Sequence, residues 1–437
     1  MRIDVDQVIE RARLGAWQWR VLVLCALVTL LDGFDIQAMA SVVPTLASEW
    51  NVAPGSLRWV VTASLIGIGV AALLLSPIGD YIGRRVTLLL SFGLVAVSMV
   101  LTATAADATE LFIWRFVTGL GLGASIPNAL ALTAEYVPTR LRASMVVLMA
   151  CGISLGAGLA SALAPALIDF GGWRAVFAVG GTIMIVLWFP LLALPESPGF
   201  LVARGRDPRA IGRVVERLDP GFRHQDGYAY GIAEPGSSAL SVTLLFTRGQ
   251  VRATLLLWAI FFLNLGLVFL MANWLPTLLN QRLPLREALH GTAMFQLGGI
   301  VGALLFALAI KRWGVFGVLT ASYLVTALAL TMLGTSVQEV AWLFALVFVI
   351  GTGFVGGQSV LNALAATMYP TAARSTGIGW AMGIGRFGGI VAPLIGGALL
   401  IAGFSPERVF AFGIAPTLVC AGVVFLLGVD ARKRAQT

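Results

Sequence analysis

Residues 21–44 read VLVLCALVTLLDGFDIQAMASVVP, and within them only Asp32 and Asp35 carry charge. About 20 consecutive apolar residues cross a hydrocarbon layer about 30 Å thick, so this run is long enough to span one. Further runs of the same kind begin near residues 59, 86, 111, 143, 174, 253, 289, 315, 340, 376 and 408. The expected fold is an all-α polytopic membrane protein with twelve transmembrane helices. Composition agrees: 58% of the 437 residues are apolar and 11% are charged, against roughly 25% charged in a soluble domain. That balance excludes an ordinary soluble enzyme. Fifty glycines suit helices packed in lipid, where small residues let backbones approach closely.

Asp4, Asp6 and Glu10 precede the first run. A cleavable signal has a basic start and a short apolar core, so the first span is expected to stay in the membrane. Cys25, Cys151 and Cys420 lie inside apolar runs, and neither they nor His224 and His290 form a ligand pattern. No disulfide, metal site or cofactor is expected. The net charge of +8 does not gather into a patch interleaved with aromatics, and no nucleic-acid partner is expected. The basic residues instead alternate between connections. Arg2/Arg11/Arg13/Arg20, Arg84/Arg85, Arg140/Arg142, Arg204 to Arg252, Lys311/Arg312, Arg374 and Arg432/Lys433/Arg434 fall on one side, and only Arg58, Arg174, Arg282, Arg286 and Arg408 on the other. This bias places both termini in the cytoplasm.

Pro195 to Arg252 is the one long polar segment, and in it Ile211, Val214, Val215 and Leu218 recur as one face of a short helix. It reads as a cytoplasmic linker, 195–252, carrying a surface helix. It separates an N-terminal six-helix bundle, 1–194, from a C-terminal bundle and cytoplasmic tail, 253–437. The halves repeat at an offset of 232: Pro44-Thr45-Leu46 returns as Pro276-Thr277-Leu278, Gly119 and Gly121 as Gly351 and Gly353, and Pro138/Arg142 as Pro370/Arg374. Such coincidence points to two pseudo-symmetric bundles, the parallel-repeat plan of many secondary transporters.

The turn after the second span reads Ser76-Pro-Ile-Gly-Asp80-Tyr81-Ile-Gly83-Arg84-Arg85. It resembles the major facilitator superfamily signature GxxxDRxGRR, with Ser76 in place of the first glycine and Tyr81 in place of the arginine after the aspartate. The second-half counterpart, Lys311-Arg312-Trp313-Gly314, keeps only the glycine. A positive-inside turn with a helix-capping aspartate would give a similar pattern. Arg115-xxx-Gly119-x-Gly121-x-Gly123, Pro138-xxx-Arg142 and Leu194-Pro-Glu-Ser-Pro198 strengthen the resemblance. A narrower likeness rests on Leu31-Asp32-Gly33-Phe34-Asp35, on Asn273-Trp274-Leu-Pro276-Thr277-Leu278, and on Tyr369 to Gly388 with its Gly383-Ile-Gly385-Arg386-Phe387-Gly388. Through these motifs the whole chain is similar to the aromatic acid:proton symporters of that superfamily. The resemblance implies the major facilitator fold and proton-driven uptake of benzoate-like carboxylates across a bacterial inner membrane.

An ionisable group near the bilayer centre costs about 2.5–3.5 kcal/mol on insertion scales, so each needs a reason. At 1.5 Å per residue, Asp32 lies about 18 Å and Arg386 about 15 Å from the cytoplasmic side. Opposite charges from the two halves are thus expected at one level. Asp32 and Asp35, three apart, share a helix face. Two carboxylates so close in low dielectric should not both ionise, and one is expected to hold a proton as a coupled pair suits a proton carrier. Alternatively, one of them is paired with Arg115 or Arg386 to hold the bundle. Arg386 offers a planar fork for the substrate anion. Arg115, about 8 Å below the outer surface, either guides the anion or snorkels to the interface. Asn128, Asn264, Gln296, Gln358 and Asn362 are candidates for a ring hydroxyl or the carboxylate, or for interhelical hydrogen bonds. Phe34, Trp380 and Phe387 neighbour the charges and are candidates to sandwich an aromatic ring, or to pack or face lipid. Trp50, Trp59, Trp173, Trp188 and Trp274 read as an interfacial belt. Glu135, a further proton-coupling candidate, ends the fourth span. With Asp80, Gly83, Arg84, Arg85 and Arg142 it is expected to form a cytoplasmic gate.

The leading expectation is a multi-pass inner-membrane importer of an aromatic carboxylate, coupled to protons by alternating access. Protons, the acid and membrane lipid are its partners, and a monomer is the favoured assembly. A transporter of another organic acid such as a muconate-like dicarboxylate, an exporter of aromatic compounds and a transporter-like chemoreceptor are alternatives. A membrane-embedded enzyme would need a nucleophile with a base, or metal ligands, which this sequence does not present.

Overall fold

The structure is a computed structural model. It describes residues 2–436 except 12–13, 75–80, 206–207, 219–221, 226–227, 232–245, 247–250, 335–338 and 369–373. Ten helices among the described residues are long and apolar enough to cross a membrane. Two of them, Thr139–Leu191 and Leu285–Leu333, each hold two spans joined without a loop. The helix breaks at Gly171 and Gly172 in the first and at Gly314 in the second. Gly172 and Gly314 take φ of 67° and 72°, a backbone region open to glycine at little cost. Counting each half of these two separately gives twelve spans among the described residues, as expected from the apolar runs.

Span 1 is Ala16–Glu49, span 2 Arg58–Leu74, span 3 Arg84–Thr102 and span 4 Ala108–Glu135. Spans 5 and 6 share Thr139–Leu191, span 7 is Val251–Asn280, and spans 8 and 9 share Leu285–Leu333. Span 10 runs Val340–Gly351, passes through a π-helical turn at Thr352–Gly356 and continues as Gly357–Met368. Span 11 is Arg374–Ile401, and span 12 runs Pro406–Phe412 and then Ile414–Gln436.

The duplication inferred from sequence has a packing counterpart. Gly156 of span 5 lies against the Leu30 carbonyl of span 1 with no room for a Cβ, and Gly388 of span 11 lies in the same way against the Phe262 carbonyl of span 7. Both members of the first pair map onto the second at the offset of 232. In lipid, where burial against a neighbour gains little over burial in acyl chains, such backbone contact is what associates helices.

By contacts the chain divides into two compact units. One comprises Met1–Asp35, Ile66–Gly156 and Phe177–Ser237, and the other Ile36–Leu65, Ala157–Val176 and Ser238–Thr437. This division differs from the sequence halves, because parts of spans 1, 2, 5 and 6 group with the second half of the chain. Two tryptophans expected at the interface are interior instead. Trp173 is fully buried with its ring edge-on to Trp50, 6.0 Å between centroids, and Trp274 is fully buried and donates to the Pro393 carbonyl at 2.8 Å.

Outside the spans, strand β1 (Arg2–Asp4) pairs in parallel with β2 (Ala229–Gly231), Ile3 opposite Tyr230. Helix α1 (Val5–Arg11) follows β1, while α2 (Pro198–Ala203) and α3 (Pro208–Leu218) belong to the linker. The apolar face of α3 is covered by the chain itself: Ile211, Val215 and Leu218 are buried, and α1, α2 and β2 pack on the helix. Arg217 of α3 sits 5.7 Å over the Trp17 ring, which is edge-on to Tyr136 at 5.2 Å. His224 Nδ1 and the Tyr230 hydroxyl are 2.7 Å apart. Burial, and then the Glu216 carboxylate, raise the Tyr230 phenol above its ordinary pKa.

Gly156→Val and Gly388→Val are each expected to lower thermal stability in detergent by about 1–3 kcal/mol or to prevent assembly, since neither carbonyl can retreat from a helix. Gly383→Ala, where a Cβ meets open space, should leave the melting temperature unchanged.

Candidate functional site

Span 1 carries its two acids into opposite situations. Asp35 is fully buried and its Oδ1 and Oδ2 accept from the Arg115 guanidinium of span 4 at 2.7 and 3.0 Å; Arg115 also donates to the Asp35 carbonyl at 3.2 Å. Arg115 is itself fully buried, 5.5 Å over the Phe177 ring. Its side chain neither snorkels nor stands open to an anion, because a closed, bidentate pair engages Nη1 and Nη2, although the buried Nε has no partner among the described residues. Asp32, one turn earlier and also fully buried, has Oδ2 at 2.5 Å from the Ser125 hydroxyl. Its Oδ1 has no hydrogen-bond partner among the described residues. The shared face foreseen from the spacing is therefore split into an ion pair and a carboxyl that no cation pairs with among the described residues. Asn128, one turn beyond Ser125, donates to the Ala124 carbonyl and keeps a buried Oδ1 without a partner among the described residues. Phe34 is buried against Gly180, in the core of the unit.

The second unit holds Arg386 on span 11. It is half-buried, and no ion pair engages it among the described residues. Gly379 and Gly383, seven and three residues before it, face open space on the same side of the helix. Trp380 and Phe387 are exposed on another side, which they share with Val391 and Ile395. That apolar face suits lipid, and Trp380 stacks on Trp258 at 5.6 Å. Neither ring forms part of a sandwich beside Arg386. Gln296 donates to Gln37 Oε1 at 3.3 Å, and Gln37 donates to the Ala272 carbonyl at 3.0 Å. The remaining amides form one chain: Tyr323 Oη to Asn264 Oδ1 at 2.9 Å, Asn264 Nδ2 to Gln358 Oε1 at 2.8 Å, and Gln358 Nε2 to Asn362 Oδ1 at 3.0 Å.

Comparison with known proteins places this arrangement. The model of the Major Facilitator Superfamily matches residues 25–314 and 283–437. The chain is 35% identical over 433 residues to a 4-hydroxybenzoate transporter of Pseudomonas aeruginosa, covering 98% of this chain and 96% of that one. It is 36% identical over 437 residues to a gallate transporter of Pseudomonas putida, covering 99% and 96%. This chain belongs to the aromatic acid transporters of the major facilitator superfamily. The fold is also that of a crystal structure of a D-xylose-proton symporter, with a TM-score of 0.72 at 20% identity over 93% of this chain and 97% of that one. The protein is a multi-pass membrane transporter and not an enzyme.

The superfamily's signature turn is partly in view. Asp80 lies outside the described residues. Gly83 has φ of 104° and abuts the Glu196 carboxylate, so a side chain fits there neither by conformation nor by space. Arg84 pairs with Glu135 at 3.1 Å, and Ser197 hydrogen-bonds the other oxygen of Glu135. Arg85 donates from its backbone to Glu196 Oε1 at 3.0 Å and from its guanidinium to the Leu192 carbonyl at 2.6 Å. Arg142 is exposed and donates to the Ala134 carbonyl at 2.9 Å. All of these bonds lie within one unit, where they tie spans 3 and 4 to the end of span 6. Sequence reasoning missed Ser125, Gln37, Tyr323 and the role of Glu196. Only Glu196 left a signal, inside the Leu194-Pro-Glu-Ser-Pro198 motif.

Removing one partner of a buried pair leaves an uncompensated charge, at about 3–5 kcal/mol. Asp35→Leu and Arg115→Met should each destabilise the protein by that order. The double substitution Asp35→Leu with Arg115→Met should recover most of the loss. Unfolding of the four proteins in detergent completes the cycle, and strictly additive losses would mean that the two side chains are not coupled.

Proposed function

We propose that this transporter imports an aromatic carboxylate together with protons across the bacterial inner membrane, by alternating access, with both termini in the cytoplasm. The observation that carries the reading is Asp32: a fully buried carboxyl that shares a short hydrogen bond with Ser125 and, among the described residues, has one oxygen without a partner and pairs with no cation. A carboxylate in that position would be an unpaired charge in low dielectric, whereas a carboxylic acid is tolerated. Asp32 therefore carries the proton, and Asp35, engaged with Arg115, holds the site. This narrows the coupled pair to one titrating member. The relatives named for 4-hydroxybenzoate and gallate support an aromatic acid as cargo.

Arg386 receives the carboxylate. Of the two intramembrane arginines weighed from the sequence, Arg115 is paired with Asp35, and no ion pair engages Arg386 among the described residues. A fork of parallel N–H donors fits a carboxylate in bidentate fashion. One proton per monovalent anion makes the cycle electroneutral, so each pH unit across the membrane would support about tenfold accumulation, or about 1.4 kcal/mol.

In proteoliposomes, Asp32→Asn is expected to abolish pH-driven accumulation of 4-hydroxybenzoate or gallate while counterflow at equal pH persists. Accumulation by Asp32→Asn equal to wild type would remove Asp32 from the proton path.

Arg386→Ala should weaken binding of the same acids by about 2–5 kcal/mol, and Arg386→Lys should retain part of it because the charge survives without the fork. Calorimetry on folded variants decides this, and wild-type affinity in Arg386→Ala would overturn the assignment.

A further inference from the structure

The amide chain of the second unit has a direction. Asn264 Nδ2 lies 3.3 Å from the Phe354 carbonyl, which belongs to the π-helical turn of span 10. A carbonyl only accepts, so the Asn264 nitrogen faces it and the Asn264 oxygen takes the Tyr323 hydroxyl proton. The second Asn264 N–H then goes to Gln358 Oε1, and Gln358 Nε2 goes to Asn362 Oδ1. Every donor in the series points the same way. The series ends on the Asn362 amide nitrogen, which donates to no described residue. Asn362 is half-buried, with Ser359 and Ala363 exposed beside it. Its helix packs against span 11, the helix of Arg386. π-Helical turns within α-helices are frequent at functional sites, and here the turn supplies the carbonyl that sets the polarity of the chain.

We propose that Asn362 is a specificity-determining donor for the substrate ring: it selects aromatic carboxylates whose ring bears a hydrogen-bond acceptor, a hydroxyl or ether oxygen, over those with a bare ring or a donor-only substituent. The inference rests on the reading of the protein as an aromatic acid transporter. Tyr323, Asn264 and Gln358 act as positioning residues, since they hold the Asn362 oxygen as an acceptor and so turn its nitrogen outward. An arylamine is the informative contrast. Its lone pair is delocalised into the ring, so it donates but scarcely accepts, whereas a methoxy group accepts and cannot donate.

The test is calorimetric binding of benzoate and its 3- and 4-hydroxy, methoxy and amino derivatives to the purified full-length protein. The wild type should bind the best hydroxy and methoxy acids about three- to tenfold more tightly than benzoate or the amino acids, the size of one neutral hydrogen bond. Asn362→Ala should erase that preference, so that the hydroxy and methoxy acids bind no more tightly than benzoate. Asn362→Asp, whose carboxylate only accepts, should move the preference toward the amino derivatives. If Asn362→Ala does not fold, Asn362→Leu, of similar shape but without the amide, serves in its place. A preference for acceptor-bearing rings that survives loss of the amide would overturn the proposal. Failure of the wild type to bind any acid of the panel would instead fell the transport reading, and this inference with it.

Discussion

The bidentate contact between Asp35 and Arg115 governs what the first six spans can do. Both groups are fully buried among apolar neighbours, where either alone would carry a large desolvation penalty. By closing on each other they fix span 4 against span 1 at the depth where Ser125 meets Asp32. They also take the Arg115 guanidinium out of play as a partner for Asp32. Asp32 thus sits one helical turn from a positive charge that is already neutralised.

The second half of the chain treats the equivalent position differently. The offset of 232 carries Asp32 onto Asn264, and a neutral amide there joins a hydrogen-bonded series instead of a charged one. A duplicated scaffold has in this way been given an acidic module and a neutral one. Shared architecture persists where it serves packing, as in the Gly156 and Gly388 crossings, and departs where a polar side chain has work to do. The terminal face shows a similar economy of means. Glu196 accepts from Arg85 and Ser197 backbone groups while its own carbonyl takes the Tyr136 hydroxyl at 2.6 Å, so two distant chain segments converge on one residue.

Much of this was legible in the sequence, because the signals concerned are one-dimensional. Span positions follow from hydropathy, and every expected start lies within a few residues of a helix start or a glycine break. The intramembrane charges stand out as exceptions to an apolar background. Pairing was less legible: the i, i+3 spacing put both aspartates on one face, and only the azimuth and depth of span 4 decided that Asp35 meets Arg115. Ser125 was invisible for a different reason, since a lone serine in a membrane helix is unremarkable until an acid is found beside it. Trp380 and Phe387 show the reverse error. Their proximity in sequence to Arg386 suggests a ring site, but at seven residues apart they share a face with Val391 and Ile395, and helical periodicity turns that face away from Arg386. Trp274 lies near a span end and reads as part of the interfacial belt, yet its indole donates to the Pro393 carbonyl, and a satisfied N–H can be buried.

The pairing of β1 with β2 joins residues near the start of the chain to residues past its midpoint. On the ribosome, the leading strand therefore has no template until residue 231 has been made, by which time six spans precede it in the polypeptide. The amino-terminal segment can only be fastened after those spans have been synthesised, so its docking reports that the first half is complete. Nascent chains truncated before α3 would expose Ile3, Val5 and Ile9, which the finished protein buries.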